Sequence, residues 1–195
     1  MILAHGAGQG MNSPFMNFFH EEMATHGYLS VKFNFDYMER ALQKNKFSGM
    51  PDPQPKLQAT YRQVIEEVRH THNPKRLIIG GKSMGGRVAS YVAATSEEIA
   101  GLIFLGYPLH PPGKPDQMRD QHLYSLETPM LFISGTKDTF ARRDLLQGVV
   151  DRIGKRATLK WIEGGDHSLK VRKGAEASLR EAADTIQAWI ERLFD

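Results

Sequence analysis

The chain has 195 residues, 41% of them hydrophobic and 24% charged, with a net charge of +3 and no cysteine. That length suits one domain, residues 1–195, burying about 70% of its unfolded surface. The missing cysteines exclude a disulfide framework and a thiolate site, and no apolar run approaches the ~20 residues that cross a bilayer.

A charge this small is no footprint for nucleic acid. The N-terminus has none of the charged region, apolar core and cleavage site of a signal peptide, so the expected location is cytoplasmic. The expected partner is a small-molecule substrate, with no nucleic acid and no membrane, for a monomer or weak homo-oligomer.

In chain order, residues 2–4 form a first strand, followed by His5-Gly6-Ala7-Gly8-Gln9-Gly10 and a helical pattern over 14–26. A strand over 30–35 ends at Asp36, which reads as a helix cap or loop anchor. The Pro-rich segment 47–55 must be loop or extended chain, and a helical pattern over 55–70 follows it. A strand over 76–79 runs into Gly80-Gly81-Lys82-Ser83-Met84-Gly85-Gly86-Arg87 and a helix over 84–95. The strand 101–105 is followed by a second Pro-rich segment, 106–115, and a helical pattern over 117–125. The strand 130–134 leads to Gly135-Thr136-Lys137-Asp138 and a helix over 142–153. The strand 158–162 leads to Glu163-Gly164-Gly165-Asp166-His167 and a last helix over 174–194.

Six near-continuous apolar strands separated by helices are what a parallel sheet covered on both faces requires. The expected fold is a three-layer α/β/α sandwich around a mostly parallel sheet of about six strands. With a strand at the first residue, no preceding hairpin is expected.

The segment 80–87 has two incompatible readings. As "GKS" it suggests a phosphate-binding P-loop, but that loop needs a glycine five residues before Gly81, where Arg76 stands at a strand start. As Gly81-Lys82-Ser83-Met84-Gly85 it fits the nucleophile elbow Gly-x-Ser-x-Gly, and a strand before and a helix after are the context that elbow requires. Small residues two before and two after the serine keep the neighbouring chain from clashing with its tight turn.

A nucleophilic serine needs a base, and the base needs a group that fixes its tautomer. Asp138 and His167 each follow a strand, in the order Ser, Asp, His, and each interval holds a helix and a strand. All three lie where one edge of the sheet would gather them, so the expected triad is Ser83, Asp138 and His167. Two amides must stabilise the oxyanion: Met84, the residue after the serine, and Ala7 of the glycine-rich loop, with Gly8 as the alternative.

Together, HGAG after the first strand, GKSMGGR, LGYPLHPPGKP, GTKD and GDHSLK resemble the α/β-hydrolase superfamily over nearly the whole chain. More narrowly they resemble its dienelactone-hydrolase-like branch, which includes a testis-expressed protein and a subunit of a chromatin acetyltransferase complex. The resemblance implies the fold, without a lid domain, and carries the triad onto Ser83, Asp138 and His167. It implies no substrate, and the chromatin subunit admits a rival reading as a binding or assembly module.

Other residues compete for these roles. Asp166 reads as a turn former and Asp116 lies beyond a Pro-rich loop, so neither displaces Asp138. His20 and His26 are six apart, not the four of a zinc helix. His5 is expected to brace the oxyanion loop. His110 reads as a surface histidine or a substrate contact. Lys82, Arg87 and Lys114 are candidates for attracting a carboxylate or phosphate on the substrate, since a cation in the first turn of a helix opposes the helix dipole. The resulting expectation is a serine hydrolase acting on a carboxylic ester or thioester, with no metal or organic cofactor.

Overall fold

A computed structural model describes residues 1–46, 49–95 and 98–195. Six strands, β1 (Ile2–Ala4), β2 (Val31–Phe33), β3 (Ile78–Lys82), β4 (Gly101–Leu105), β5 (Met130–Gly135) and β6 (Ala157–Ile162), form one sheet. Their order is β2-β1-β3-β4-β5-β6 and every neighbouring pair is parallel. The expected sandwich is therefore the observed fold.

Side chains alternate across each strand and divide the interior into two cores. Leu3, Ile103, Leu105, Leu131 and Ile133 face α1 (Pro14–Thr25) and α6 (Ala175–Phe194), where Phe19, Ile186 and Trp189 cover them. Ile2, Ile79, Leu102, Phe104 and Phe132 face α2 (Asp36–Gln43), α3 (Gln54–His72), α4 (Met84–Ala93) and α5 (Arg143–Ile153). Burial on both faces explains why the strands read as apolar runs rather than alternating patterns.

The chain passes from β1 to β2 on one side and then returns to place β3 on the other side of β1. Ligands of open parallel sheets bind at such a reversal, beyond the carboxyl ends of the strands. Here the glycine-rich loop follows β1 and the segment bearing Ser83 follows β3.

Four local expectations are corrected. Asp36 is the first residue of α2, a helix the sequence reading missed, and its Oδ1 accepts a hydrogen bond from Thr60 Oγ1 at 3.3 Å. The second strand is only Val31–Phe33, because Phe35 already serves as the helix cap. The helical pattern over 117–125 shrinks to a 3-10 turn, Gln121–Ser125, since proline-bound chain precedes it. Also, β3 extends through Gly80 and Gly81 to Lys82: a Cβ on Gly80 would lie 2.1 Å from the Ile103 carbonyl, so only glycine continues the strand there. Of the first Pro-rich segment, residues 47–48 lie outside the described residues and 49–53 carry no regular structure.

Candidate active site

Ser83 stands between the last residue of β3 and the first of α4, with φ 51° and ψ −116°. A non-glycine residue in that region is strained and persists only where its surroundings impose it. The cause is close packing of α4 on the sheet. A Cβ on Gly85 would lie 2.3 Å from the Ala4 carbonyl, and one on Gly81 would lie 2.2 Å from the same oxygen. The elbow glycines thus let the helix start directly over β1, and the turn lifts the serine above the sheet edge.

His167 Nε2 lies 2.8 Å from Ser83 Oγ. On its other side, Nδ1 is 2.8 Å from Asp138 Oδ2 and 2.9 Å from Oδ1. The Asp138 side chain is fully buried, and its Oδ1 also accepts the Phe140 N–H at 2.8 Å. A buried carboxylate on Nδ1 keeps the proton there, leaving the Nε2 lone pair aimed at the serine hydroxyl. Phe140 covers the imidazole, with ring centroids 4.2 Å apart.

Two loops hold this array. A Cβ on Gly135 would fall 2.2 Å from the Gly165 carbonyl, so the histidine loop lies directly on the end of β5. Lys137 N–H donates to Gly165 O at 2.9 Å, and Gly164 N–H donates to Thr136 Oγ1 at 2.8 Å. Asp166 receives the amides of Ser168 and Lys170 on one oxygen, 2.7 and 3.0 Å away, and so shapes the turn. Asp116 is exposed just beyond the Pro-rich loop.

The glycine-rich loop abuts the elbow: a Cβ on Gly6 would sit 3.6 Å from Ser83 Cβ. His5 is wholly buried beneath it. Its Nε2 accepts the Phe35 N–H at 3.1 Å, which leaves Nδ1–H to donate to Gly6 O at 2.6 Å. Burial lowers the His5 pKa, with the Gly6 bond and Glu39 opposing, so the ring is held neutral as a brace. Tyr37 Oη donates to Ala7 O at 3.1 Å. Among the described residues, neither Ala7 nor Met84 has a hydrogen-bond acceptor for its amide N–H.

The candidates for substrate contact fare unequally. Lys82 turns inward: its Nζ donates to the His167 backbone carbonyl and lies 5.5 Å from the Phe15 ring centroid. It is therefore not the exposed cation the sequence suggested, because β3 carries it under the histidine loop. His110 is buried rather than on the surface. Its Nε2 accepts the Arg142 N–H at 3.0 Å and its Nδ1 bonds Pro111 O at 2.9 Å, tying the Pro-rich loop to the start of α5. Lys114 is exposed in the turn of that loop, and Gly8 is exposed, with nothing within 4 Å of a Cβ placed on it. Arg87 is half-buried in the first turn of α4.

Sequence reasoning missed Phe140, Tyr37 and Arg119, which donates from Nη1 to Pro108 O at 3.3 Å. Only Phe140, two residues beyond the acid, had a positional signal.

A model of the family described as "Alpha/beta hydrolase domain" matches residues 1–193. The chain belongs to that family. Solved structures with the same fold include a serine hydrolase without lid from Xanthomonas campestris, 19% identical, with a TM-score of 0.72 over 98% of this chain and 81% of that one. Another is a monoacylglycerol lipase from Paleococcus ferrophilus, 14% identical, with a TM-score of 0.72 over 94% and 91%. A dienelactone hydrolase from Anabaena variabilis is 18% identical, with a TM-score of 0.70 over 98% and 84%. Like the Xanthomonas protein, this α/β-hydrolase fold carries no lid among its described residues. Among its described residues no helix is long and apolar enough to cross a membrane.

Proposed function

We propose that the chain is a serine hydrolase cleaving a carboxylic ester or thioester of a small or medium substrate, and that it sits in the dienelactone-hydrolase-like branch named above. The observation that carries this reading is the linear array Ser83 Oγ, His167 Nε2, His167 Nδ1 and Asp138, with both contacts at 2.8 Å and the serine at positive φ.

In this mechanism Ser83 Oγ attacks the carbonyl carbon while His167 Nε2 takes its proton. Asp138 accepts the Nδ1–H and stabilises the imidazolium. The Met84 and Ala7 amides donate to the oxyanion, each worth about 2.7–4 kcal/mol in the transition state. Collapse of the intermediate expels the alcohol or thiol, which takes the proton from Nε2, leaving Ser83 acylated. Water then loses a proton to Nε2, attacks the acyl carbon and releases the acid. No step calls on a metal or organic cofactor. A site with no lid among the described residues suits modest substrates.

The test is covalent labelling. A fluorophosphonate should add once to the folded protein, and Ser83→Ala should abolish the adduct. A folded wild-type protein that stays unlabelled would instead favour the rival reading, a binding or assembly module on a hydrolase fold.

A further inference from the structure

Arg87 lies one helical turn beyond Ser83, its amide bonded to the Ser83 carbonyl at 3.1 Å. Arg119 is anchored to the loop after β4: its amide donates to Leu109 O at 2.8 Å, its Nη1 donates to Pro108 O, and its carbonyl accepts Tyr107 Oη at 2.7 Å. That loop begins at Gly106, where a Cβ would lie 2.6 Å from the His167 carbonyl. Arg87 therefore sits one turn along the helix that follows the serine, and Arg119 is held on the loop that abuts the histidine.

Neither guanidinium forms an ion pair with any described residue, and Arg87 Nε is buried with no hydrogen-bond partner. Burial, and after it the charge of Arg87, hold the Arg119 pKa below its usual value. Burial and then the same charge push His122 down to about 4, with Asp120 opposing. Asp120, the acid of this neighbourhood, accepts Tyr124 Oη on Oδ2 at 2.5 Å, while its Oδ1 is buried without a hydrogen-bond partner, and it forms no ion pair with either arginine. Arg87 and Arg119 are thus two half-buried cations, one on the helix that follows the serine and one beside the loop against His167, with no ion pair among the described residues. Surface lysines shed such a penalty into solvent; a buried Arg87 Nε does not.

We infer that Arg87 and Arg119 form an anion-binding subsite of the Ser83 site, holding a carboxylate or phosphate borne by the substrate. Planar guanidiniums offer paired donors that match either group. An anion between their terminal nitrogens turns mutual repulsion into attraction. This replaces Lys82, which is committed to His167, and leaves Lys114 outside the subsite. A substrate held this way rests on the hydrolase proposed above, so the experiment must separate the two.

The comparison uses para-nitrophenyl hemiglutarate and a para-nitrophenyl ester of the same acyl length ending in an isopropyl group, each corrected for uncatalysed hydrolysis. The wild type should prefer the anionic ester in kcat/KM by about tenfold to a hundredfold, the range of hydrogen bonds to a charged group. The ratio should fall towards one in Arg87→Met and Arg119→Met, be partly kept in Arg87→Lys, and shrink with added salt. Calorimetric titration with glutarate and with inorganic phosphate reads the subsite without turnover and tells a carboxylate site from a phosphate site. Binding of either anion by the wild type, lost in both methionine variants, supports the subsite even if no ester is cleaved. A ratio near one in the wild type, or anion binding absent or unchanged by both substitutions, overturns it. Fluorophosphonate labelling of Ser83 in the same samples reports separately on the hydrolase.

Discussion

The Lys82 ammonium, at the end of β3, donates to the backbone carbonyl of His167 and so ties the serine's strand to the histidine's loop. Gly106 leaves room for it, since a Cβ there would lie 3.3 Å from Nζ. The residue before the proposed nucleophile is thus a positioning residue for the proposed base.

Lys82→Met removes the donor while keeping the length of the side chain. The His167 loop loses its tie, and a displacement of about 1 Å at a catalytic group costs on the order of a hundredfold. The loss should appear in kcat, with KM little changed. Stability gives a second readout. Burial lowers the Lys82 pKa from 10.5 to about 8, with Asp138 and Asp166 opposing. Between those values the unfolded chain holds a proton that the folded protein has released, so the Lys82 contribution to stability rises with pH across that window. Thermal unfolding at pH 7.5 and pH 10 should show wild type gaining on Lys82→Met. Parallel shifts in the two proteins would contradict the burial argument. Activity should survive deprotonation, because a neutral amine still has hydrogens to donate.

Asp138→Asn should lower turnover by up to about four orders of magnitude, because the amide stabilises the wrong imidazole tautomer. The fold should persist, as the Phe140 N–H can still bond the remaining oxygen. Asp116→Asn, in the exposed turn just after the Pro-rich loop, should leave turnover unchanged. Esterase assays on the two variants decide which acid serves His167.

Much of this was legible in the sequence, and the reason is local chemistry. Glycines at 81 and 85 mark a place where backbone meets backbone, and apolar runs mark strands buried on both faces. Ser83, Asp138 and His167 each end or follow a strand, so a parallel sheet brings them together without further information. What stayed hidden depends on side chains reaching across the fold. Lys82 and His110 looked exposed because flanking residues say nothing of the loop that later covers them. The helix α2 was missed because its burial of Tyr37 and Met38 depends on packing beyond its own eight residues. The Arg87–Arg119 neighbourhood joins a helix to a proline-rich loop, and no spacing rule links the two.

Gly85→Ala tests the steric origin of the elbow. Its Cβ would lie 2.3 Å from the Ala4 carbonyl and 2.7 Å from that of His5, both backbone. Either α4 shifts off β1 or the strand gives way. A cost of about 1–3 kcal/mol, or more, is expected from overpacking, together with loss of Ser83 labelling. Gly8→Ala meets nothing within 4 Å and should stay within about 0.5 kcal/mol of wild type. Chemical denaturation of both variants checks the contrast; equal effects would mean that the close approach is not what fixes the turn.

His122 makes the last prediction, on acid stability. Its ring stacks on Tyr91 at 3.8 Å between centroids, and its Nε2 lies 2.8 Å from Ser90 Oγ. Ser90 already donates its hydroxyl hydrogen to Arg87 O at 2.7 Å, so the serine oxygen accepts and His122 carries its proton on Nε2. Protonating Nδ1 as well would add a cation beside Arg87 in a half-buried site, and the folded pKa falls from 6.5 to about 4. Between these values the unfolded chain binds a proton that the folded protein refuses. Stability is therefore lost as pH falls from 6.5 towards 4. His122→Phe keeps a ring for Tyr91 to stack on and removes the titration. It should cost stability at pH 7, through the lost Ser90 bond, yet lose less than wild type on going from pH 7 to pH 5. His5 titrates in the same direction and remains in both proteins, so it cancels from the difference. Thermal unfolding of the two proteins at the two pH values measures it. Equal losses on acidification would show that His122 takes up its proton as readily in the folded protein as in the unfolded chain.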